Sequence, residues 1–328
     1  MVNDKIDLVI LWVDGNDEAW LKEKNKYLGV PGDNSKNRFR DWENLHYIFR
    51  GIEKYMPWIN KIFFVTWGHL PKWLNTNNTK LRVVSHAEFI PAEYLPTFNS
   101  NVIELNLHRI KDLSENFILF NDDLFVLKSL KPTDFFVNGL PKDQYIEYLK
   151  KNSSQRHNII RKNTHEIIDK YFSKKKFIKE NIGKVINSSY GINNLKTLMR
   201  INDATFGDIY NDHLSQAFLK STFDKVWKLE REKLNIACMN KFRSNEDIGQ
   251  GICKYWQLLE GNFIPSKTLG KYFFAKEDNS ELIKAIKSEK YKIICINDVS
   301  TDIDFEKSKQ EINAALEQIF PDKCQYEL

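Results

Sequence analysis

The sequence contains no Cys-x-x-Cys pair, because its four cysteines, Cys238, Cys253, Cys295 and Cys324, are widely spaced. This spacing supports neither a zinc site nor a disulfide framework, so we expect reduced thiols of the kind found in cytoplasmic proteins. No apolar run approaches the roughly 20 residues that a membrane-spanning helix needs. The N-terminus lacks the charged and then apolar layout of a secretory signal peptide. We therefore expect a cytoplasmic chain, and peripheral contact with the inner face of the plasma membrane stays open.

A strong charge of either sign is also missing. The 49 basic and 44 acidic residues give a net charge of +5, which suits an anionic substrate or an acidic membrane surface. We expect no nucleic-acid partner at so small an excess. What the sequence does have is length. Its 328 residues, 42% of them hydrophobic, suffice for one large domain or two with a sizeable core.

The most informative stretch is a short, continuous apolar run at residues 117–120, which ends in Asn121, Asp122 and Asp123. Such a run predicts a strand buried on both faces, as in a parallel sheet. Ligands of open α/β sheets bind at the carboxyl ends of the strands. Adjacent carboxylates there need a positive neighbour, and Mg²⁺ with a phosphorylated substrate would provide it. The alternative is an ordinary surface turn, since Asn and Asp are common turn residues.

Other patterns predict the rest of the sheet. Residues 6–13 read as a buried strand, and Asp14 follows it, either as a third carboxylate of the site or in a plain β-turn. Strand-like runs at 61–66 and 81–85 follow a helical pattern that ends before Pro57. This spacing of strand, helix and strand predicts a βαβ unit. We therefore expect the α/β class, with a Rossmann-like, mostly parallel sheet and a largely helical insertion.

Cationic side chains stand next to predicted helix starts. Arg38 and Arg40 precede Asp41, which is the predicted N-cap of a helix. Arg243 precedes Ser244, where capping-box spacing to an aspartate predicts a second helix start. A helix N-terminus favours a bound anion, so these arginines are candidates for phosphate contacts. Ordinary solvation of the surface is their alternative role.

Four separated blocks of the chain carry motifs in a particular order. The first is I-D-L-V-I-L-W-V-D-G-N-D at 6–17, and the second, at 38–74, contains R-F-R-D and P-K-W-L-N. The third, at 95–123, contains L-P-T-F-N-S, L-H-R-I and F-N-D-D, and the fourth begins at His213 and contains K-F-R-S-N-E-D-I. Together they resemble the conserved regions of the Stealth family. In that family a proline stands two places after the histidine, where this chain has Ser215.

Stealth proteins are sugar-1-phosphate transferases of bacterial capsular and cell-surface polysaccharide synthesis. The α/β subunit of the lysosomal-enzyme N-acetylglucosamine-1-phosphotransferase is similar to them. The resemblance implies a UDP-sugar donor, a divalent metal (Mg²⁺ or Mn²⁺) as cofactor, and transfer of hexose-1-phosphate to a hydroxyl of a growing, lipid-linked glycan. A phosphodiester would form and UMP would be released. Phosphoryl transfer depends more on metal ions and cationic clamps than on covalent chemistry, which agrees with the residues in these blocks.

The resemblance also implies roles for individual residues. Catalytic roles fall to Asp122, Asp123, His213 and Arg243, and the two aspartates hold the metal or orient the acceptor. Substrate-binding roles fall to Asp14, Arg38, Arg40, His108, Arg109 and Asn121. The general base would be His213 or a carboxylate, although a lone histidine is more often structural.

The composition of the chain changes near residue 140. From there to about residue 235 the chain is richer in Lys and Asn, and its patterns are mainly helical. We expect a nucleotide-sugar-binding α/β core at 1–139 and a mainly helical insertion at 140–235 for the acceptor or a membrane surface. Residues 236–328 would return to the core and end in a helix. Within the insertion, the lysine-rich segment 170–184 either lies on an anionic membrane or forms a solvated helix face.

Two other functions stay open. A metal-dependent glycosyltransferase would also bind a UDP-sugar near aspartates at a strand end, but it would release UDP instead of UMP. An inactive binding component of the polysaccharide assembly complex would bind ligand without turnover. The complete set of Asn121, Asp122, Asp123, His213 and Arg243 argues against such an inactive site.

Overall fold

The computed structural model describes residues 5–27, 29, 41–148, 155–211, 213–298 and 304–328. Its strands in chain order are β1 (Ile6–Leu11), β2 (Ile62–Thr66), β3 (Leu81–Ser85), β4 (Asn116–Asn121), β5 (Leu124–Val126), β6 (Phe136–Val137), β7 (Leu140–Asp143), β8 (Glu147–Tyr148), β9 (Asp208–Ile209), β10 (Gln216–Leu219), β11 (Ile264–Pro265), β12 (Gly270–Phe274) and β13 (Ile293–Asn297). Its α-helices are α1 (Glu18–Asn25), α2 (Leu45–Tyr55), α3 (His86–Phe89), α4 (Ser100–Asn106), α5 (Pro132–Phe135), α6 (Gln155–Tyr171), α7 (Lys174–Val185), α8 (Asn194–Leu198), α9 (Lys220–Leu229), α10 (Arg231–Cys238), α11 (Gly251–Leu259), α12 (Ser280–Lys287) and α13 (Phe305–Ile319). Short 3₁₀ turns lie at Ala92–Tyr94, Leu107–Arg109 and Ser188–Asn193.

The central sheet has the strand order β10–β4–β1–β2–β3. Strands β4, β1, β2 and β3 are parallel, and β10 joins the edge antiparallel to β4. Side chains alternate along the inner strands: Leu8 and Ile10 pack on one face and Val9 packs on the other, all fully buried. The predicted α/β class with a mostly parallel sheet is therefore confirmed. Continuous apolar runs suit strands that are covered on both faces.

The strand order reverses beside β1. The chain runs outward from β1 to β2 and β3, and then crosses back to β4 on the other side of β1. At the carboxyl ends of these two strands, Leu11 pairs with Asn121. Ligands of open α/β sheets bind in the crevice at such a reversal. The residues that follow β1 and β4 therefore lie where a ligand is expected.

Helices and a second sheet cover the central sheet. On one face, α2 and α13 pack together with β5 and β13, while α4, α9 and α11 cover the other face. Gly51 allows α2 to lie close to β5, because a Cβ atom there would stand 2.7 Å from the carbonyl oxygen of Val126. Both faces of the sheet are thereby removed from water, and its carboxyl edge is left for function.

The smaller sheet β12–β13–β5 brings the C-terminal part of the chain to the end of β4. Strand β5 pairs antiparallel with β13, with Cys295 opposite Leu124. The backbone N–H of Ile296 donates to the carbonyl oxygen of Asp123 at 2.9 Å. Residues at the end of β13 thereby come next to the Asn-Asp-Asp motif.

Two helices begin at capping aspartates, and the second of them is the predicted C-terminal helix. Helix α1 begins at Glu18, and its N-cap Asp17 accepts from the N–H of Trp20 at 2.7 Å. Helix α13 begins after Asp304, whose side chain accepts from the N–H of Lys307. Across the part of the chain that the structure describes, no helix has both the length and the apolar character needed to cross a membrane.

Three details differ from the predictions. The sequence pattern did not indicate β10, because four residues are too few to show alternation and the strand depends on pairing with β4. Helix α2 begins at Leu45 with Asn44 at its N-cap position, so Asp41 does not cap it. Helix α11 begins only at Gly251, well after Ser244. Asp and Ser side chains bind nearby N–H groups in turns as readily as in helix caps, which explains both late starts.

Candidate active site

Four aspartates line a cavity at the carboxyl edge of the central sheet. Asp122 and Asp123 follow β4, Asp41 precedes α2, and Asp298 follows β13. The cavity has a volume of about 160 Å³, and its other lining residues are Trp12, Val13, Trp42, Asn44, Leu45, Phe125, Ile296 and Asn297. Three separate segments of the chain thus bring carboxylates to one small, concave place.

Asp123 holds one carboxylate oxygen without a hydrogen-bond partner. The thiol of Cys295 donates to its Oδ2 at 3.2 Å, whereas its buried Oδ1 has no partner among the described residues. Burial raises the pKa of Asp123 to about 6, and the nearby side chains of Cys295 and Asn297 oppose this rise. A buried anionic oxygen in this state is costly unless a cation or a donor joins it.

Asp122 is exposed on the wall of the cavity, although protein atoms crowd around its carboxyl group. This partial removal from water raises its pKa to about 7, and the negative charges of Asp123 and Asp41 add to the effect. Two carboxylates that disfavour each other's charge form a place where a cation is stabilised.

Asp41 belongs to the site, and the sequence analysis missed it. Its Oδ1 accepts from the N–H of Glu43 at 2.7 Å, where Glu43 adopts a left-handed backbone with φ of 53°. Burial raises the pKa of Asp41, and the charge of Asp14 contributes. Asp298 was missed as well. Its signal was in the sequence, because the run at 293–297 ends in Asn-Asp just as the run at 117–120 does.

Asp14 lies beside this group, after β1. Its charge is close enough to raise the pKa of Asp41. The backbone N–H of Asp14 donates to Nε2 of His69 at 2.7 Å, and its Oδ1 accepts from the N–H of Asn16. His69 follows β2, and it is a third residue near the site that no sequence pattern had indicated.

His213 reaches the same edge of the sheet through β10. In the antiparallel pairing, Gln216 lies opposite Leu119, and His213 precedes Gln216 by three residues, on the side of β10 that faces the carboxyl end of β4. The backbone of His213 is left-handed, with φ of 52°, and its N–H donates to Oδ1 of Asn211. The strand that the sequence did not predict is therefore the element that positions the predicted histidine.

An aromatic ring connects His213 to the aspartates. The imidazole of His213 packs on Tyr272 with ring centroids 5.2 Å apart. Burial raises the pKa of Tyr272, with contributions from Cys295 and from the charge of Asp123. Tyr272 is thus in contact with the histidine and close enough to Asp123 to feel its charge. No sequence motif marked it.

Arg243 lies at the start of α4 and does not line the cavity. Its Nη2 donates to Oγ of Ser100, the first residue of that helix, at 2.9 Å. Burial raises the pKa of the neighbouring Glu104 to about 7, and Arg243 opposes that rise. Arg243 is thus held at the first turn of α4, and its predicted catalytic role stays a prediction.

His108 and Arg109 lie near the other end of the sheet. His108 is buried against Phe223 and Trp227 of α9, and the guanidinium of Arg109 lies 4.7 Å from the ring centre of Trp227. Both residues precede the start of β4, whereas Asp122 follows its end. Six residues of strand separate these ends by roughly 20 Å. The structure does not bring His108 and Arg109 to the carboxylates.

Three predicted site residues remain. Asn121 is the exposed last residue of β4 and stands next to Asp122. Arg38 and Arg40 lie outside the described residues, which resume at Asp41 on the wall of the cavity. The predicted roles of these three residues stay predictions.

The site suits a divalent cation that is held jointly with a substrate. No group of three or more His, Cys, Asp or Glu side chains arranged to hold a metal is found in the described ranges. Mg²⁺, however, is usually held by one or two carboxylates together with water and substrate phosphates. Asp122 and Asp123 supply two adjacent carboxylates, and the unpartnered Oδ1 of Asp123 is a free oxygen ligand. The donor set therefore fits the predicted metal.

Comparison with known families gives two matches. Residues 38–144 match the family model described as Stealth protein CR2, conserved region 2, and residues 4–29 match that of Stealth protein CR1, conserved region 1. The two matches contain Asp14, Asp41, Asp122 and Asp123, which are four of the five aspartates at the carboxyl edge.

Full-length relatives agree with these matches. A capsular polysaccharide phosphotransferase, WcwK of Streptococcus pneumoniae, is 41% identical over 99% of this chain and 98% of its own. A receptor polysaccharide phosphotransferase, WefC of Streptococcus gordonii, is 38% identical over 99% of both. An exopolysaccharide phosphotransferase, cps2G of Lactiplantibacillus plantarum, is 33% identical over 98% of this chain and 96% of its own. The chain belongs to the Stealth family, as its sequence motifs predicted.

A solved structure of the galactosyltransferase LgtC in complex with donor and acceptor sugar analogues covers 94% of this chain and 95% of its own. The sequence identity is 10% and the TM-score is 0.38. A similarity of that size supports no argument about fold or ligand.

Proposed function

We propose that this protein transfers hexose-1-phosphate from a UDP-sugar to a hydroxyl group of a growing cell-surface polysaccharide. The observation that carries the proposal is the group of aspartates at the carboxyl edge of the central sheet, in a chain that aligns over its whole length with polysaccharide phosphotransferases. The glycan acceptor would be lipid-linked at the inner face of the plasma membrane, with the protein in peripheral contact. Residues 1–139 would bind the donor and residues 140–235 would face the acceptor or the membrane.

The reaction breaks one phosphorus–oxygen bond and makes another. The acceptor oxygen attacks the phosphorus that carries the sugar, in line with the oxygen that bridges to UMP. UMP leaves with the bonding electron pair, and the acceptor hydroxyl gives its proton to a base. The anomeric carbon of the sugar does not react, so its configuration is retained. The product is a phosphodiester between the sugar and the glycan.

His213 is the preferred base in this scheme, because β10 brings it toward the carboxyl edge of the sheet and its ring packs on Tyr272. A carboxylate of the site is the alternative base. Asp14 lies on the β1 side of the strand-order reversal, where the donor nucleotide or sugar would bind. Arg243, together with Arg38 or Arg40, would neutralise the phosphates, since phosphoryl transfer depends on cationic clamps.

Asp122 and Asp123 would hold the divalent metal, for which Mg²⁺ and Mn²⁺ are the candidates. When bound, such an ion neutralises charge on the phosphoryl group that is transferred. Asp123 would contribute its otherwise unpartnered Oδ1, and its Oδ2 is kept in place by the thiol of Cys295.

A donor labelled with ³²P at the β-phosphate tests the proposal. We expect the label to appear in the glycan as a phosphodiester, and unlabelled UMP to be released. Asp123→Asn protein gives the background of the assay. Label found only in free UDP, with an unlabelled glycan, would show that the anomeric carbon is attacked and would replace the proposal by a glycosyltransferase. Donor binding without turnover would instead support an inactive binding component.

A further inference from the structure

An exposed apolar face lies on α8 and the 3₁₀ turn before it. Ile192, Leu195, Leu198 and Met199 are exposed to 81%, 56%, 45% and 78%, respectively. Ile192, Leu195 and Met199 follow one another at intervals of three and four residues, which places them on one side of a helical segment. We call these four residues the Ile192–Met199 face. Isolated exposed aliphatic residues are ordinary, but four within eight residues indicate a contact surface.

The Ile192–Met199 face is held in this exposed position by its backbone. Gly191 adopts φ of 54° and ψ of −132°, a conformation that suits glycine, and the turn there presents Ile192 to solvent. The side chain of Asn194 binds the carbonyl oxygens of Asn187 and Gly191 and the N–H of Asn187. The apolar side chains therefore cannot be buried by a small local rearrangement.

The same segment is fastened to the rest of the protein. Thr197 is buried on the opposite side of α8, and its Oγ1 accepts from the N–H of Glu147 in β8 at 3.0 Å. The side chain of Lys174, at the start of α7, is also buried and donates to the Glu147 carboxylate at 2.7 Å. One side of the segment is thus fixed to the protein, and the apolar side is left facing outward.

The charge of the protein is concentrated in this segment. Residues 174–199 contain six lysines and one glutamate, a net charge of +5, which equals the net charge of the whole chain. The remaining residues are therefore neutral in sum. Four lysines of this segment are exposed: Lys175, Lys176, Lys179 and Lys196. Lys196 directly follows Leu195 of the Ile192–Met199 face. A chain segment that exposes both aliphatic side chains and lysines matches a surface that is apolar inside and negatively charged outside.

We propose that the Ile192–Met199 face and the exposed lysines of 174–199 bind the surface of an anionic lipid bilayer. The aliphatic side chains enter the boundary between head groups and acyl chains, and the lysines contact anionic head groups. The surface of a protein partner fits less well, because the centres of protein interfaces are enriched in aromatic residues and depleted of lysine. The inference rests on the proposed function in one respect, since a lipid-linked acceptor is what makes membrane binding useful.

Co-sedimentation of the full chain with lipid vesicles tests this inference. We expect binding to vesicles of equal parts phosphatidylcholine and phosphatidylglycerol, and little binding to phosphatidylcholine alone. Binding should weaken as salt rises from 0.15 M to about 1 M, because the screening length falls from about 8 Å to about 3 Å. Binding that is indifferent to both lipid charge and salt would overturn the assignment.

Two variants separate the apolar from the charged contribution. Ile192→Ser/Met199→Ser should weaken binding by about tenfold or more, since two nearly fully exposed side chains lose their apolar contact with lipid. Lys175→Ser/Lys179→Ser should weaken binding at low salt and remove most of the salt dependence. The control is Ile236→Ser/Met239→Ser, which makes the same exchanges at two half-exposed side chains (53% and 50%) in and just after α10. An equal loss in the control would overturn the assignment to this face.

Turnover on a short, soluble oligosaccharide acceptor keeps this inference distinct from the proposed function. The variants of the face should turn over like wild type, because they lie outside the catalytic residues. Vesicle binding by a protein that transfers no sugar phosphate would refute the proposed function alone. If the protein binds no vesicles but self-associates through this face, so that the Ile192→Ser/Met199→Ser variant elutes as a smaller species, then the face is a protein interface and the membrane proposal fails.

Discussion

Glu147, in the helical part of the chain, and Asp123, at the carboxyl edge of the central sheet, are both carboxylates in crowded surroundings, but their partners differ. Glu147 is fully buried and accepts from Nζ of Lys174 at 2.7 Å, from the hydroxyl of Tyr145 at 3.0 Å and from the N–H of Gly207. Asp123 has the thiol of Cys295 on one oxygen, and its other oxygen has no hydrogen-bond partner among the described residues.

From this difference we infer that Glu147 serves the fold and that Asp123 serves a ligand. Lys174 completes the Glu147 centre, because its ammonium group also donates to the carbonyl oxygens of Arg200 and Thr205. Folding alone gives no reason to leave Asp123 without a cation, and unsatisfied groups of this kind are typical of functional sites. The two centres should therefore respond differently to substitution. Changes at the Glu147 centre should lower stability, and changes at Asp123 should lower activity.

At the Asp123 centre, removal of the divalent metal should have the largest effect on transfer activity. We expect EDTA to abolish transfer and Mg²⁺ or Mn²⁺ to restore it. Adding Mg²⁺ should also raise the melting temperature of the wild type, because a ligand of the folded state stabilises that state. The melting temperature of Asp123→Asn should not respond. Full activity of extensively stripped protein in EDTA would rule out the metal.

Asp123→Asn should lower kcat by roughly 10³-fold, about 4 kcal/mol, because the shape of the side chain is kept while its charge is lost from the site. The free energy of unfolding should stay constant or rise, since a crowded charge next to Asp122 has been removed. Asp112→Asn is the control: Asp112 is exposed and has a left-handed backbone that Asn tolerates. A destabilised Asp123→Asn protein would mean that Asp123 serves the fold.

Lys174→Met should act on the other centre. It leaves the buried carboxylate of Glu147 without its cation, and breaking a buried pair in this way costs about 3 kcal/mol of unfolding free energy or more. Denaturant unfolding measures this loss, while kcat of the folded fraction should stay at the wild-type value. Lys176→Met, on the exposed side of the same helix, should change stability by less than about 0.5 kcal/mol. Equal effects of the two variants would remove the distinction between the centres.

The sequence predicted the parts of this molecule that are local. Strands β1, β2 and β4 have apolar runs, β3 has a shorter one, and helix α13 has a clear period and a capping aspartate, so each was found. Strand β10 was missed because its stability comes from pairing with β4, which no pattern within Gln216–Leu219 reveals.

The site was predicted in part for a similar reason. Asp122 and Asp123 stand next to an obvious strand, whereas Asp41 looked like a helix cap, and Asp298 needs the β5–β13 pairing to come near them. Tyr272 depends on the same three-stranded sheet. Spacing along the chain does not reveal such tertiary neighbours. The sequence therefore predicted the Asn-Asp-Asp motif of the site but not the other residues that line it.

His108 is a predicted substrate-binding residue, and its protonation tests whether it serves the stability of the fold instead. Burial lowers the pKa of His108 to about 3, with contributions from Arg109 and Lys220, and its Nε2 lies 3.8 Å from Asp224. In the unfolded chain His108 therefore binds a proton near pH 6.5, whereas in the folded protein it binds one only near pH 3. Stability is fully present above pH 6.5 and is lost as the pH falls toward 3.

We expect this proton to cost the wild type about 2 kcal/mol of unfolding free energy at pH 5, relative to pH 7.5. His108→Phe keeps the ring against Phe223 and Trp227 but cannot be protonated, so it should lose about 2 kcal/mol less over the same range. Its KM for the UDP-sugar should equal that of the wild type. A raised KM with an unchanged pH profile would instead place His108 in substrate binding, as the family motif implied.

Arg243→Lys should give the smallest effect, and it tests whether the fourth motif reaches the site at all. Lysine keeps the positive charge but loses the planar fork that fits a phosphate, so we expect kcat to fall by about tenfold, or about 1.4 kcal/mol. Ser100→Ala removes the hydroxyl that accepts from Nη2 of Arg243, and it should give a smaller loss in the same direction. His213→Ala should be more severe than either if His213 is the base. A merely structural Arg243 would behave differently, since its substitution by lysine would lower the melting temperature and leave kcat unchanged. That result would exclude Arg243 from the phosphate clamp, which would then have to come from other cations.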